Sequence, residues 1–220
     1  MHANLIFDMD GTLWDSSANV ARSWTDVIAE YPNPDRTITT EEDIRSVMGH
    51  TMDEVAALLF PRTDPDLRRQ IMSACAAHEN AFLAQHGGKL YPRLEKTLQE
   101  LQSDGHRLFI VSNCQSGYIE AFLGFYDFGG YFSDFDCFGN TGCGKDGTIR
   151  LLADRWGLGN DFYYIGDIRG DYIATLKAGG RFIHAAYGFG RVDADVPRIK
   201  AISDLPDLLS RQLLPGRWSS

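Results

Sequence analysis

The stretch that decides the fold is residues 5–15, LIFDMDGTLWD, close to the amino terminus. Its first three residues are apolar, and Asp8 and Asp10 with the glycine that follows end this run at once. A short apolar run that stops at a polar, glycine-containing turn is typical of a buried strand followed by a loop. The sequence therefore predicts a first strand with two carboxylates just beyond its carboxyl end.

The same pattern returns twice in the second half of the chain. Residues 108–111, LFIV, precede Ser112 and Asn113, and residues 162–165, FYYI, precede a glycine and Asp167. Segments with apolar residues at helical spacing separate these runs. Alternating short strands and helices are typical of an α/β fold, in which helices cover both faces of a parallel sheet.

The segment from 16 to 86 carries helical patterns and no convincing strand. Ser16 can cap a first helix, a second helix is predicted over 52–59, and a third carries an apolar stripe. That stripe consists of Leu67, Ile71, Cys75, His78 and Phe82. We therefore predict an α/β core from residues 1–15 and 87–220, with an α-helical cap domain, residues 16–86, inserted after the first strand.

Composition and charge narrow the range of partners that the protein can have. The chain has 220 residues, with 30 acidic against 21 basic side chains and a formal net charge of −9. Nucleic-acid binding usually requires a basic surplus or stripe, so no nucleic-acid partner is expected. No stretch approaches the ~20 apolar residues of a membrane helix, so no membrane partner is expected. The cysteines form no CxxC pair and no signal peptide is recognisable, which predicts a reduced, cytoplasmic protein.

Polar side chains at the predicted strand ends form the candidate site. In open parallel sheets, ligands bind beyond the carboxyl ends of the strands, so we expect Asp8, Asp10 and Asp167 to converge there. Lys145 and Asp171 are the charged residues nearest to these loops. Several carboxylates share one pocket only with a cation, and oxygen ligands without histidine or cysteine favour Mg²⁺.

These residue types suit phosphoryl transfer. A carboxylate such as Asp8 is ionised at neutral pH and can attack a Mg²⁺-bound phosphoryl group to give an aspartyl-phosphate. A second carboxylate two residues later, Asp10, can protonate the leaving alkoxide and then deprotonate an attacking water. Ser112 and Lys145 would hold the phosphoryl oxygens and balance their charge.

Four ordered motifs resemble those of the haloacid dehalogenase superfamily. Residues 7–13, FDMDGTL, look like its DxDGT signature, and residues 110–113, IVSN, look like its second motif. Lys145 stands where the third-motif lysine is expected, and residues 166–171, GDIRGD, resemble the fourth motif. The resemblance covers nearly the whole chain and implies a Rossmann-like parallel sheet with an inserted helical cap.

Two further segments look most like the phosphoglycolate-phosphatase-like branch of that superfamily. They are the Tyr-Pro pair at 91–92 and the sequence YGFG at 187–190. This resemblance implies a Mg²⁺-dependent phosphomonoester hydrolase that acts on a small phosphorylated metabolite through an aspartyl-phosphate. We expect it to be a monomer or a homodimer.

Carried over residue by residue, the resemblance also implies roles. It makes Asp8 the nucleophile and Asp10 the general acid and base. The metal ligands would be the Asp8 side chain, the Asp10 backbone carbonyl and the Asp167 side chain, with Asp171 orienting the metal shell through water. The residues that would bind the transferring phosphoryl group are Ser112, Asn113 and Lys145.

Two departures from the family pattern are visible. Ile168 and Arg169 occupy fourth-motif positions where the family often has Thr or Ser and a small or polar residue, which predicts an extra cation near the metal site. Arg93 follows the Tyr-Pro pair where the family usually has glycine. Both weaken any transfer of substrate identity from the family to this chain.

The sequence is also compatible in part with other functions. A sugar-phosphate mutase of the same superfamily keeps both aspartates and stays open. A non-enzymatic phospho-acceptor module also uses acidic residues, a lysine and Mg²⁺, but its acceptor aspartate lies at a later strand. The loop at 139–146, GNTGCGKD, differs at one position from a nucleotide-binding Walker A loop. Asp146 stands where that loop needs Ser or Thr, and a carboxylate there would repel phosphates.

Overall fold

The computed structural model describes residues 2–32 and 34–212, and these contain eight strands and ten α-helices. The strands are β1 (Asn4–Phe7), β2 (Trp14–Asp15), β3 (Lys89–Leu90), β4 (Arg107–Ser112), β5 (Asp134–Cys137), β6 (Tyr163–Gly166), β7 (Arg181–Ala185) and β8 (Arg198–Ile199). The helices are α1 (Ser17–Ile28), α2 (Glu41–Val47), α3 (Met52–Leu59), α4 (Pro65–His86), α5 (Leu94–Ser103), α6 (Tyr118–Tyr126), α7 (Phe138–Thr141), α8 (Lys145–Arg155), α9 (Arg169–Lys177) and α10 (Leu205–Gln212).

Six of these strands form one parallel sheet in the order β5-β4-β1-β6-β7-β8. The first strand of the chain lies inside the sheet, where Phe7 pairs with Ile110 of β4 and with Ile165 of β6. The carboxyl ends of these three strands therefore lie side by side, which brings the polar residues after each of them together. This confirms the predicted α/β fold with a Rossmann-like parallel sheet.

Apolar layers cover both faces of the sheet. Along β1, Leu5 and Phe7 belong to the larger apolar cluster and Ile6 to a second cluster on the opposite face, and all three are fully buried. Successive strand residues point to opposite faces, so a strand that is covered on both sides has no polar alternation. This explains why the first strand is a continuous apolar run.

An antiparallel pair of short strands separates the sheet from the helices α1 to α4. Trp14 of β2 pairs with Leu90 of β3, and Asp15 pairs with Lys89. The four helices lie between these two strands in the chain. We propose that this pair of strands marks the boundary between the core, 1–15 and 87–220, and the cap, 16–86.

The helices of the cap differ from the sequence predictions in three ways. Helix α2 was not predicted; the side chains of Thr40 and Asp43 bond to each other's backbone at its start. Ser16 precedes α1 but its side chain makes no capping hydrogen bond. On α4 the buried stripe includes Glu79 and Leu83, whereas His78, which was predicted to be part of the stripe, is exposed.

Smaller differences concern the second half of the chain. Strand β5 ends at Cys137 because Phe138 begins the short helix α7. Strand β8 was not predicted, since it is only two residues long. Arg93 has a left-handed backbone conformation with φ of +67°. Glycine adopts such a conformation without strain, so an arginine is less favourable than a glycine at this position.

No helix in the described part of the chain combines the length and the apolar character that spanning a lipid bilayer requires.

Candidate active site

Asp8 and Lys145 form a buried ion pair at the carboxyl end of β1. The Lys145 Nζ donates to Asp8 Oδ1 at 2.9 Å and to Asp171 Oδ1 at 2.5 Å. All three side chains are buried. Burial alone lowers the pKa of Lys145, but the charges of Asp171 and Asp8 outweigh it and raise that pKa above its ordinary value. The lysine is therefore a permanent cation in this site.

A third carboxylate completes an acidic cluster. Asp8, Asp167 and Asp171 each offer one oxygen atom, and these three atoms lie within 4.8 Å of one another. Burial, followed by the charge of Asp171, raises the pKa of Asp8 to about 6 and that of Asp167 to about 8. Three carboxylates and one ammonium group leave an excess of negative charge, which a divalent cation would neutralise. Mg²⁺ prefers this all-oxygen set of donors, so the residues present fit it.

Backbone amides hold the last two aspartates of this cluster in place. Asp167 Oδ2 accepts a hydrogen bond from the Phe189 backbone N–H at 2.7 Å. Asp171 Oδ2 accepts from the backbone N–H groups of Asp167 and Ile168 at 3.1 and 3.2 Å. Gly11 has a φ of +82°, and a Cβ there would collide with the Asp167 carboxylate. The glycine of the first motif is therefore needed for the approach of β6 to the loop after β1.

Asp10 points away from the acidic cluster. Its carboxylate accepts hydrogen bonds from the Ser16 hydroxyl at 2.7 Å and from the Tyr118 hydroxyl at 2.8 Å. Burial raises the pKa of Asp10 to about 7, and the two hydroxyl groups oppose this. A carboxyl group with such a pKa can both give and take a proton near neutral pH.

The sequence analysis did not identify two of the residues that hold Asp10. Ser16 was predicted to be a helix cap, and its hydroxyl bonds to Asp10 instead. Tyr118 lies 108 positions after Asp10 in the chain, and its hydroxyl donates to the same carboxylate. Nothing local in the sequence indicates either contact, because each depends on where α1 and α6 pack.

Ser112 and Asn113 connect β4 to the cap. Ser112 is the last residue of β4, and both residues line a cavity together with Asp10. The Asn113 Nδ2 donates to the backbone carbonyl of Gly49 in the cap at 2.8 Å. Its Oδ1 is buried and has no hydrogen-bond partner among the described residues, so it remains an acceptor toward the cavity.

The fourth-motif departures have different positions. Ile168 contacts the cap, since a Cβ on Gly49 would collide with its side chain. Arg169 begins α9, is exposed, and forms no ion pair with any residue that the structure describes. The predicted extra cation is therefore directed to solvent, while the isoleucine provides an apolar contact between the core and the cap.

The cavity lies between the core and the cap and has a volume of about 60 Å³. Its core side consists of Asp10, Ser112, Asn113 and Tyr118, and its cap side is mostly apolar. The apolar residues on the cap side include Val20, Trp24, Ile44, Val47 and Val55. Glu79 is also part of this wall, and the sequence analysis missed it because it expected His78 to face inward.

Known proteins agree with the motifs and with the fold. The sequence profile of haloacid dehalogenase-like hydrolases matches residues 5–185. A phosphoglycolate phosphatase from Vibrio parahaemolyticus is 24% identical over 194 residues, which cover 84% of this chain and 84% of that protein. The similarity to this relative supports a phosphatase activity for the chain.

Solved structures show the same fold. A predicted phosphoglycolate phosphatase from Haemophilus somnus superposes with a TM-score of 0.76 at 18% identity, covering 94% of this chain and 97% of that one. A haloacid dehalogenase-like family hydrolase from Streptococcus pneumoniae also superposes with a TM-score of 0.76, at 20% identity, covering 94% and 98% of the two chains. The chain belongs to the haloacid dehalogenase-like hydrolase family.

Proposed function

We propose that the protein is a Mg²⁺-dependent phosphomonoesterase that acts on a small phosphorylated metabolite through an aspartyl-phosphate on Asp8. The observation that carries this proposal is the buried cluster of Asp8, Asp167 and Asp171 around Lys145, with oxygen atoms of the three carboxylates within 4.8 Å. Bound Mg²⁺ would neutralise the carboxylates and the phosphoryl oxygens, and Asp8, the Asp10 carbonyl and Asp167 would hold it.

In the first half of the reaction, Asp8 attacks phosphorus. A bond forms between an oxygen of Asp8 and phosphorus, and the bond from phosphorus to the ester oxygen breaks with its electron pair on that oxygen. The Asp10 carboxyl group lies beside the cavity, where it donates its proton to the leaving alkoxide. The hydrogen bonds from Ser16 and Tyr118 keep this carboxyl group turned toward the leaving group.

In the second half, water releases the phosphate. Asp10, now ionised, takes a proton from the attacking water, whose oxygen bonds to phosphorus while the bond to Asp8 breaks. Lys145 stays protonated and bonded to Asp8, so it balances the charge of the phosphoryl group in both halves. Ser112 and Asn113 would hold the phosphoryl oxygens from the end of β4.

Release of phosphate from p-nitrophenyl phosphate tests this function. We expect release with Mg²⁺, none after EDTA treatment, and none from the Asp8→Asn variant. The matched control is Asp26→Asn, an exposed aspartate on α1 that should leave the rate unchanged. Retention of a tenth of the activity by Asp8→Asn would contradict the assignment of the nucleophile. With a sugar phosphate as substrate instead, an isomerised product without free phosphate would indicate a mutase.

A nucleotide-binding function has little support from the geometry. The loop at 139–146 includes the short helix α7, and Lys145 after it is directed into the acidic cluster. Its Nζ is bonded to Asp8 and Asp171 and is not available to a nucleotide in that loop.

A further inference from the structure

Glu79 is a buried carboxyl group that the proposed reaction does not use. It lies on α4 with only 4% of its surface exposed, and it forms part of the wall of the cavity next to Asp10. Its Oε2 accepts a hydrogen bond from Trp24 Nε1 at 2.5 Å. A buried carboxyl group destabilises the fold unless its hydrogen bonds are satisfied, so its presence beside the reacting groups calls for a functional reason.

The electrostatic character of this cavity is acidic. Two carboxyl groups, Asp10 and Glu79, face it, and no lysine or arginine lines it among the described residues. Two basic side chains on neighbouring elements are already paired: Arg45 of α2 with Asp15 and Glu41, and Lys145 with Asp8 and Asp171.

The imidazole that reaches the cavity does not change this balance. His50 lines the cavity, but the residue is largely exposed, and its Nδ1 lies 3.2 Å from the backbone carbonyl of Val47.

Burial raises the pKa of Glu79 to about 7, with the charge of Asp10 as a further cause, while hydrogen bonds from Trp24 and Gln115 oppose the rise. An ionised carboxylate has about four lone-pair sites. Once ionised, Glu79 can therefore accept a hydrogen bond from a donor group on a ligand in addition to the one from Trp24.

We propose that Glu79 determines specificity by accepting a hydrogen bond from a hydroxyl or ammonium group of the leaving alcohol, so that the substrate is a small phosphomonoester without a carboxylate. This inference rests on the proposed phosphatase function and names the class of its substrate. A leaving group with its own carboxylate would enter a cavity that holds two carboxyl groups and no lysine or arginine, and like charges brought together in a buried site oppose binding.

The distribution of apolar and polar groups in the cavity wall also bears on the leaving group. The apolar residues Val20, Val47 and Val55 close the cap side and suit a short carbon chain. An alcohol with a short carbon chain and one polar end therefore matches this distribution, with the polar end at Glu79.

Three esters of nearly equal size test this inference. They are 2-hydroxyethyl phosphate, 2-aminoethyl phosphate and 2-phosphoglycolate. All three share a phosphate–O–CH2 unit, to which a CH2OH, a CH2NH3⁺ or a carboxylate group is attached. We expect kcat/KM for the better of the first two to exceed that for 2-phosphoglycolate by at least about tenfold at pH 8. The ranking of the hydroxyl and ammonium esters shows which donor Glu79 accepts.

The variant Glu79→Gln identifies the residue responsible. It removes the charge and keeps an acceptor for Trp24, so the preference over 2-phosphoglycolate should shrink by about tenfold. The control is Glu30→Gln, which changes an exposed glutamate of the same cap and should keep the wild-type ratios. The circular dichroism spectra of both variants establish that they are folded.

The outcomes separate this inference from the function on which it rests. Equal or faster turnover of 2-phosphoglycolate by the wild type, or an unchanged ratio in Glu79→Gln, overturns the inference and leaves the phosphatase in place. Turnover of p-nitrophenyl phosphate with none of the three esters hydrolysed also overturns it. Absence of Mg²⁺-dependent and Asp8-dependent release from all four esters overturns the proposed function, and the substrate class with it.

Discussion

Substituting Glu79 by glutamine should make the protein more stable, and by an amount that grows with pH. Folding raises the pKa of this carboxyl group from 4.5 to about 7, chiefly through burial. The folded state therefore binds the proton more tightly than the unfolded state, and stability is lost as pH rises from 4.5 through 7. With ~1.4 kcal/mol per pH unit between the two values, the cost above pH 7 is about 3 kcal/mol.

Urea denaturation of the two proteins measures this cost. The free-energy cost of ionising Glu79 is absent below pH 4.5 and fully developed above pH 7. About 2 kcal/mol of this cost should therefore develop between pH 5.5 and 8.5. The difference in unfolding free energy between Glu79→Gln and the wild type should grow by that amount over this interval. All samples contain EDTA, so that metal binding by the aspartates does not vary with pH.

Comparison with the wild type isolates Glu79, because the aspartates of the active site are present in both proteins. The variant keeps an oxygen acceptor for the Trp24 Nε1–H, so the hydrogen bond at 2.5 Å is not simply lost. The exposed control Glu30→Gln should show a pH-independent difference near zero. A difference for Glu79→Gln that changes by less than about 0.5 kcal/mol over the interval would refute the argument from burial.

Three further predictions concern other sites. Arg93→Gly relieves a left-handed backbone with φ of +67° and should raise the unfolding free energy by about 1 kcal/mol in urea denaturation; a decrease would contradict this. Tyr118→Phe removes the hydroxyl that bonds to Asp10 and should lower kcat roughly tenfold with little change in KM, measured by phosphate release. Asp167→Asn should abolish the rise in Tm that Mg²⁺ produces, whereas the exposed Asp161→Asn should keep it.

The sequence predicted those features that are encoded by a few neighbouring residues. Strands β1, β4 and β6 could be recognised because each contains a short apolar run that a polar group ends, and burial on both faces demands such a run. The acidic cluster could be anticipated because parallel strands present their carboxyl ends at one edge. For this reason Asp8 and Asp167 were identified although they are far apart in the chain. Lys145 was found through its resemblance to the third-motif lysine.

The missed features of the site depend on the rotation and packing of helices. The apolar spacing on α4 favoured His78 over Glu79, its neighbour in the chain. Consecutive helix residues lie about 100° apart around the axis, so only one of the two can face the core. The actual rotation is fixed by packing against α1, where Trp24 meets the Glu79 carboxyl group. Tyr118 was missed for the same reason, because its role follows from the placement of α6 beside the loop that holds Asp10.

The sequence by itself therefore determined the class of fold and the reactive groups at the strand ends. Only the tertiary structure decided which side chains line the cavity beside Asp10, namely Glu79, Trp24 and the apolar residues of the cap. The physical reason is that strand ends are set by local hydrogen bonding and burial, whereas a cavity between two layers depends on contacts between residues distant in sequence. The residues at the strand ends are thus encoded by local sequence, whereas the wall of the cavity arises from packing.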